Sequence, residues 1–530
     1  MRITNKIIQN NNLSNINTNK IYQDTLSTQM STQKKINRPS DDPVVAIRAL
    51  RLRSSVTEVT QYYSKNIPDA ESWLNVTEDA LKNLSQIMTS MISQCTKGSS
   101  GELKTEDRQI ILEQLKALAD EVYSTGDADY AGRYVFTGYR TDTSLSFDKE
   151  QNLTYSITEQ LDSSAISSVT KVNTDELLNI NSKNYMDADK QVKEQDITSV
   201  DVYRIRLAYD SCLADGVLPQ VQYYGAILDA AGAPTGQYEL KTLGQQAGGT
   251  NAMKQMHSYE DPYTFVAQND DALVYVPETG EILMGKNHYE TLMATKDDDA
   301  TKQNEGEIRV TYQKASWQKG DLRPEHYFAC KSNPGTADEI SYNSAYLTGN
   351  AERQDIEYDV GFNQTIRVNS TADECFQHGI GRETDDLVNA MQNVLDLEGV
   401  KTNLESLYSK AQEGSNEQTV LKDQLDAVEK ALTYAKDKEQ KLFEKGITSF
   451  QGYLDDTNLC ITNCGTRSSK LSLVKNRMQN QKTTFETLKS ENEDVDITEV
   501  AINLKSAELT YEAALMATGK VTQTSLLNFI

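Results

Sequence analysis

No proline follows Pro334 in this 530-residue chain, although six of its nine prolines crowd into the stretch from Pro219 to Pro334. Proline fixes φ and withholds a backbone donor, so the crowding marks a turn-rich centre and the absence leaves the carboxy-terminal stretch open to helix. Histidine is scarce. His257, His288, His326 and His378 lie far apart, none at metal-ligand spacing, and there is no His-Glu-x-x-His motif, which argues against a zinc centre. Of six cysteines (Cys95, Cys212, Cys330, Cys375, Cys460 and Cys464) only the last two are close, at i,i+4. That spacing without a nearby His makes a poor zinc site, and on a helix it sits at the edge of disulfide geometry, so all six are expected as free, partly buried thiols. No apolar run reaches the length of a membrane span. The opening Met1-Arg2-Ile3-Thr4-Asn5-Lys6 leads into an Asn-rich run without the apolar block of a secretory signal peptide.

Catalytic motifs are missing as well. There is no Gly-x-Ser-x-Gly elbow. Gly244, Gly248 and Gly249 lack a following Lys-Ser or Lys-Thr and read as a loop between strands rather than a phosphate cradle. Asp297-Asp298-Asp299 lacks calcium-loop spacing and reads as a solvated turn. No catalytic residue, metal or cofactor is expected.

What is present is length, polarity and helical periodicity. A chain this long exceeds one hydrophobic core and implies two to four domains. With 38% hydrophobic and 25% charged residues it sits on the polar side of globular, which suggests elongated domains. The net charge of −25 is uneven: residues 1–53 carry a net +6, residues 467–530 balance, and the stretch between holds −31. The amino-terminal basic residues are scattered with no aromatics between them, so nucleic acid is not expected as a partner; the middle is a solvated acidic surface.

Three zones follow. In the first, to about residue 145, seven Asn among the first nineteen residues weaken an opening helix whose apolar positions (Ile3, Ile7, Leu13, Ile16, Ile21) are sparse. Arg38-Pro39-Ser40-Asp41-Asp42-Pro43 breaks the chain, with Asp42 able to cap the next helix and Pro43 at its first position. Val56, Thr60, Tyr63, Ile67, Ala70, Leu74, Thr77, Leu81, Leu84, Met88, Met91 and Cys95 then alternate by four and three, a coiled-coil seam. Pro68 lies inside it and should kink the helix or force a local irregularity. A shorter helix carries Ile111, Leu115, Leu118 and Val122 on one face, and Gly132-Arg133-Tyr134-Val135-Phe136-Thr137-Gly138 reads as a short β-like run. The second zone, about 146–380, alternates like strands at Tyr203–Leu207 and Ile308–Tyr312, and like a hairpin at Ile356–Val360 and Thr365–Val368. The third, about 383–530, is helical, with one seam through Leu471, Val474, Met478, Gln481, Phe485 and Leu488 and, after Asp494-Val495-Asp496, another through Val500, Leu504, Ala507, Tyr511, Ala514, Thr518 and Val521.

The fold class is therefore α+β and elongated, with a terminal coiled-coil rod made by both chain ends around a β-rich central insertion. Residues 1–40 and 500–530 are terminal assembly helices, mobile in an isolated monomer. Residues 41–145 with 383–499 form the rod, and 146–382 the outer part. The rod core is expected at Ile67, Leu74, Leu81, Leu84 and Met88 facing Leu471, Val474, Met478 and Phe485. The assembly interface is expected at Ile3, Ile7, Leu13, Ile16, Leu504, Tyr511, Leu515, Val521, Leu526 and Leu527. The seams alone allow either an intramolecular bundle or assembly between copies.

Both ends also carry a resemblance. Met1 to Lys6, Gln29 to Pro43, Gly132 to Gly138, Asp494-Val495-Asp496-Ile497, Tyr511-Glu512-Ala513-Ala514-Leu515 and the terminal Ser525-Leu526-Leu527-Asn528-Phe529-Ile530 resemble the flagellin superfamily, and within it the third hook-associated proteins. Ordinary flagellins usually have a different loop where this chain has Arg-Pro-Ser-Asp-Asp-Pro, and usually end in a Leu-Leu-Arg type tail. The resemblance implies a structural subunit, not an enzyme. It would be met by a cytoplasmic export chaperone, exported without a cleaved signal peptide through the flagellar type III apparatus, and assembled outside the cell. It would form a ring-like layer with copies of itself between the first hook-associated protein and the flagellin filament. A major filament flagellin, or a secreted enzyme on a flagellin scaffold, are the alternatives.

Overall fold

The computed structural model describes residues 5–101, 103–212, 217–228, 234–244, 253–294, 307–348 and 354–523. The protein is α+β, with helices at both ends and sheets between. It falls into two compact units: residues 1–71, 358–366 and 468–530, and residues 72–357 and 367–467. Among the described residues no helix is long and apolar enough to cross a membrane.

In chain order, α1 (Asn5–Thr32) ends where Gln33 turns to φ 59. Asp42 restarts the helix: its Oδ1 accepts from Val44 N at 2.9 Å and Val45 N at 3.1 Å, and Pro43, which has no N–H to satisfy, opens α2 (Pro43–Gln61). A π-helical turn, Tyr62–Asn66, passes directly into α3 (Ile67–Gly98). The irregularity expected at Pro68 takes this form. Pro68 cannot donate into the preceding turn and its ring crowds it, and a widened turn relieves both. Ile67 N–H accordingly bonds back to Tyr62 O. The extra residue slips the buried stripe: Val59 is fully buried, whereas Thr60 and Tyr63 of the expected seam are half-buried.

α4 (Thr105–Gly126) buries Ile111, Leu115 and Val122 of the expected face but leaves Leu118 half-buried, and it also buries Arg108, whose Nε donates to Glu439 at 3.1 Å and whose Nη1 donates to Leu103 O at 2.7 Å. The glycine-bounded run that follows is a tight turn between β1 (Asp129–Tyr130) and β2 (Arg133–Tyr134), with positive φ at Ala131 and Gly132.

The middle contains β3 (Gln151–Leu161), β4 (Ile166–Val172), α5 (Asp175–Leu178), β5 (Ser199–Arg206), β6 (Gln220–Leu228), β7 (Pro234–Thr242), β8 (Lys254–Gln255), α6 (Pro262–Ala267), β9 (Leu273–Val276), β10 (Glu281–Met284), α7 (Lys286–Ala294), β11 (Ile308–Trp317), β12 (Ala329–Ser332) and β13 (Ile340–Tyr342). One sheet is six-stranded and antiparallel, ordered β13-β12-β3-β11-β6-β7. The other is ordered β4-β5-β10-β9-β8, antiparallel except at β8–β9. Period-two alternation explains the first: Ile308, Val310 and Tyr312 of β11 face the same side and are buried, as are Tyr155, Ile157 and Glu159 of β3. The hairpin read from the sequence is β14 (Glu357–Gly361) and β15 (Gln364–Arg367), with Asn363 at φ 50 in its turn.

The chain finishes through α8 (Ala372–Cys375), α9 (Gly379–Tyr408), α10 (Asn416–Glu493) and α11 (Ile497–Gln523). In the unit of residues 72–357 and 367–467, Leu74, Leu81, Leu84, Met88, Met91 and Cys95 of α3 are fully buried. Their partner segment corrects the expected register. Ser85 meets Asn458 at 3.4 Å, and a Cβ built on Gly98 would stand 2.5 Å from the Phe443 ring, so this part of α3 runs antiparallel to residues 443–458 of α10, not 471–485. Leu471, Val474 and Met478 are buried in the other unit, Phe485 is half-buried, and Leu488 is 43% exposed. There the hairpin tip meets Met478 and the π turn: Met478 packs on Gly361, Tyr62 meets the Phe362 ring edge-on at 5.7 Å, and Asn66 Nδ2 donates to Asp359 O at 2.8 Å.

Leu81 is fully buried, and truncation leaves a cavity that helices cannot easily collapse. Leu81→Ala is expected to cost about 2–5 kcal/mol by chemical denaturation; a change under about 0.5 kcal/mol would show that the seam is not a packed core.

Candidate assembly surface

The terminal helices α1 and α11 lie along one another. The buried material between them is thin: Leu26, Val500 and Ala507, with Val495 and Leu504 packed beside them. Asn at seven of the first nineteen positions leaves α1 few apolar groups to spend on its partner. Several of those it has point outward. Ile7, Leu13, Ile21, Tyr22 and Met30 of α1 are exposed, as are Ile502, Leu509, Leu515 and Met516 of α11 and Val44, Ile47 and Leu50 of α2. Apolar side chains left in water on both members of a helix pair form a face that a further helix would cover.

The two helix breaks are built to meet. Lys34 and Asp494 form an antiparallel β-bridge in which Lys35 N–H donates to Glu493 O at 2.7 Å and Val495 N–H to Gln33 O at 3.2 Å. Glu493, 2% exposed, receives Arg53 through two parallel bonds of 2.6 and 2.7 Å, with Lys34 Nζ at 3.7 Å. Lys34 also pairs with Asp494, and Asn492 Nδ2 donates to Val45 O at 3.2 Å. Asp41 holds the loop by accepting from Arg38 N at 2.9 Å and Asn37 N at 3.1 Å; Asp496 caps α11 by accepting from Thr498 N at 2.8 Å and Glu499 N at 3.3 Å. The bond from Arg53 holds the Glu493 carboxyl below its ordinary pKa, Lys34 does the same for Asp494, and the Glu499 and Thr498 amides for Asp496.

The residues expected at the interface divide. Ile7, Leu13 and Leu515 are exposed; Ile16, Leu504 and Tyr511 are half-buried between α1, α11 and solvent. Ile3, Leu526 and Leu527 lie outside the described residues, as do Gly248, Gly249 and Asp297–Asp299; Val521 falls within α11. The Glu493–Arg53–Lys34 cluster went unseen in the sequence. The signal was present, since two chain breaks, one basic and one acidic, flank the same helix pair, but nothing in the spacing says that they touch.

Residues 3–141 match the bacterial flagellin N-terminal helical region. The first 141 residues are thus similar to that region from residue 3 onward. It is similar to the flagellar hook-associated protein 3 of Salmonella typhimurium, 27% identical over 168 residues that make up 31% of this chain and 52% of that protein. It is equally similar to the one from Escherichia coli, 27% identical over 169 residues, 31% of this chain and 53% of that protein. The chain thus spans about half the length of the curated relatives it matches. A solved flagellar junction protein from Legionella pneumophila shares 9% identity, with 81% of this chain and 99% of that one covered and a TM-score of 0.24, below the level at which two folds correspond. The matched stretch contains α1, its break, α2, α3 and α4, including Lys34 and Arg53 of the cluster.

A carboxylate whose pKa is depressed by folding contributes stability that is present above its unfolded value, near 4.5, and is lost as pH falls through the folded value. Acidification below that point is therefore expected to loosen the α1–α11 pair. Glu493→Gln should weaken it at neutral pH by about 1–2 kcal/mol, since Arg53 is largely solvated and tolerates the loss. Amide exchange of α1 and α11 reads both effects; equal protection in the variant at pH 7 would show that the cluster does not hold the ends.

Proposed function

We propose that this chain is a structural subunit of the bacterial flagellum, placed at the junction between hook and filament, and not an enzyme. The observation that supports this best is the paired ends of the chain. A thin buried seam is flanked on both helices by exposed apolar residues, and one of the two helices, α1, lies in the region that matches the flagellin amino terminus. Such a pair is incomplete until neighbouring subunits cover it. In this reading copies of the chain close laterally into a ring-like layer, the first hook-associated protein lies on one side and flagellin on the other, and an export chaperone shields the apolar ends inside the cell. Residues 1–40 and 500–530 act as assembly segments, 41–145 and 383–499 as the rod, and 146–382 as the outward part. A filament-forming flagellin is the second reading, favoured by the same amino-terminal match.

A thinly buried terminal pair should open more readily than the rod. In the monomer at low concentration, amides of α1 and α11 are expected to exchange at least about tenfold faster than those of Leu74–Cys95. Equal protection would mean that the ends fold without neighbours.

A filament subunit stacks on its own kind without limit, whereas a junction subunit accepts two different neighbours, and its self-contacts close. Purified protein concentrated in precipitating salt is therefore expected to stay monomeric or form small rings by electron microscopy, and removal of the last ten residues to abolish binding to isolated hooks while leaving the sheets folded. Long regular filaments of this protein alone would establish the flagellin reading instead.

A further inference from the structure

All six cysteines are buried thiols, and the fold brings two of them to neighbouring positions although they stand far apart in the sequence. Cys375 closes the short helix α8, with its Sγ donating to Thr371 O at 3.2 Å. Cys460 sits in the interior of α10, with its Sγ on the carbonyl of Glu374, the residue preceding Cys375, at 3.4 Å. That contact places the Cys460 sulfur beside the stretch of backbone that leads into Cys375. Cys464, one helical turn further along α10, is turned away from α8: its Sγ lies on Leu74 O at 3.4 Å. Cys212 is engaged elsewhere, on the carbonyls of Tyr209 and Asp210.

We infer that Cys375 and Cys460 form a disulfide when the folded chain meets an oxidising thiol–disulfide environment, a bond that ties α8 to α10. A disulfide needs Cα atoms within about 7 Å of each other, and a Cys460 sulfur 3.4 Å from Glu374 O is within that reach of Cys375. The oxidant is a low-molecular-weight disulfide. The Cys460 thiolate attacks one of its sulfurs, the S–S bond of the small molecule breaks, and one small thiolate leaves. Cys375 then attacks the Cys460 sulfur of the mixed disulfide and expels the second. Two electrons pass from the cysteine pair to the small disulfide, and the two cysteine protons end on the two small thiols. The order of attack follows the surroundings: the neighbouring Cys375 holds the Cys460 thiol below its ordinary pKa, while burial pushes Cys375 up. The bond would close a loop from 375 to 460 that contains all of α9 and the first half of α10.

The test uses the full chain, oxidised with glutathione disulfide both as folded protein and during refolding from guanidinium, so that a closed core cannot hide the pair. After oxidation, unfolding and titration with a thiol reagent are expected to show four free thiols in place of six. Peptide mapping should give one cross-link, joining Cys375 to Cys460. The melting temperature should rise by about 5 °C and fall back on reduction. Cys464→Ser should keep the cross-link and Cys375→Ser should lose it. Six free thiols in both arms, or a bond from Cys460 to Cys464, would overturn the inference.

Discussion

A single buried carboxylate carries the geometry of the chain ends. Glu493 is the last residue of α10, and it is held at once by Arg53 from α2 and, through its backbone, by Lys35 from the loop after α1. Burying a carboxylate is unfavourable unless it is paired, and a bidentate guanidinium is the partner whose shape matches it best. With that contact in place, Gln33 and Val495 come within bonding distance, the two breaks align, and α1 and α11 start side by side. The thin apolar seam then need only keep together what the ion cluster has already registered. Removing the charge therefore acts on the ends first, because the seam between them is too small to fix their register by burial alone.

The same economy explains why the outer faces stay apolar. A pair of helices that buried everything it had would be stable alone and would present nothing but charge. This pair buries Leu26, Val500 and Ala507 and leaves residues such as Ile21, Ile502 and Met516 in water. In the proposed reading the terminal segments trade stability in isolation for a surface that another helix can complete.

The helical ends and the strand-bearing middle were legible because period and punctuation agreed: Asp42-Pro43 caps α2, three-four spacing marks α3, and alternation marks β11. The exposed apolar residues of the terminal helices were legible only as a class. Period alone does not say which side of an apolar helix is covered, and Ile7 and Leu13 look no different in sequence from Leu26. Contacts set by long-range pairing were not legible at all. The register of α3 on α10 depends on Gly98 admitting Phe443, the approach of Cys460 to Glu374 on where a loop returns to a helix, and the Glu493 cluster on two breaks meeting.

The π turn before Pro68 also fixes position along the helix axis. A uniform heptad seam is periodic, so a helix sliding along its partner by seven residues finds nearly the same contacts again. The added residue at Tyr62–Asn66 breaks that repeat: Val59 on one side and Ile67 on the other lie on stripes of different phase. A translation that restores one stripe misaligns the other, as with the two scales of a vernier. Within its unit the helix therefore has one setting instead of a ladder of them, and a helix pulled or twisted along its axis cannot creep by a heptad and lodge there.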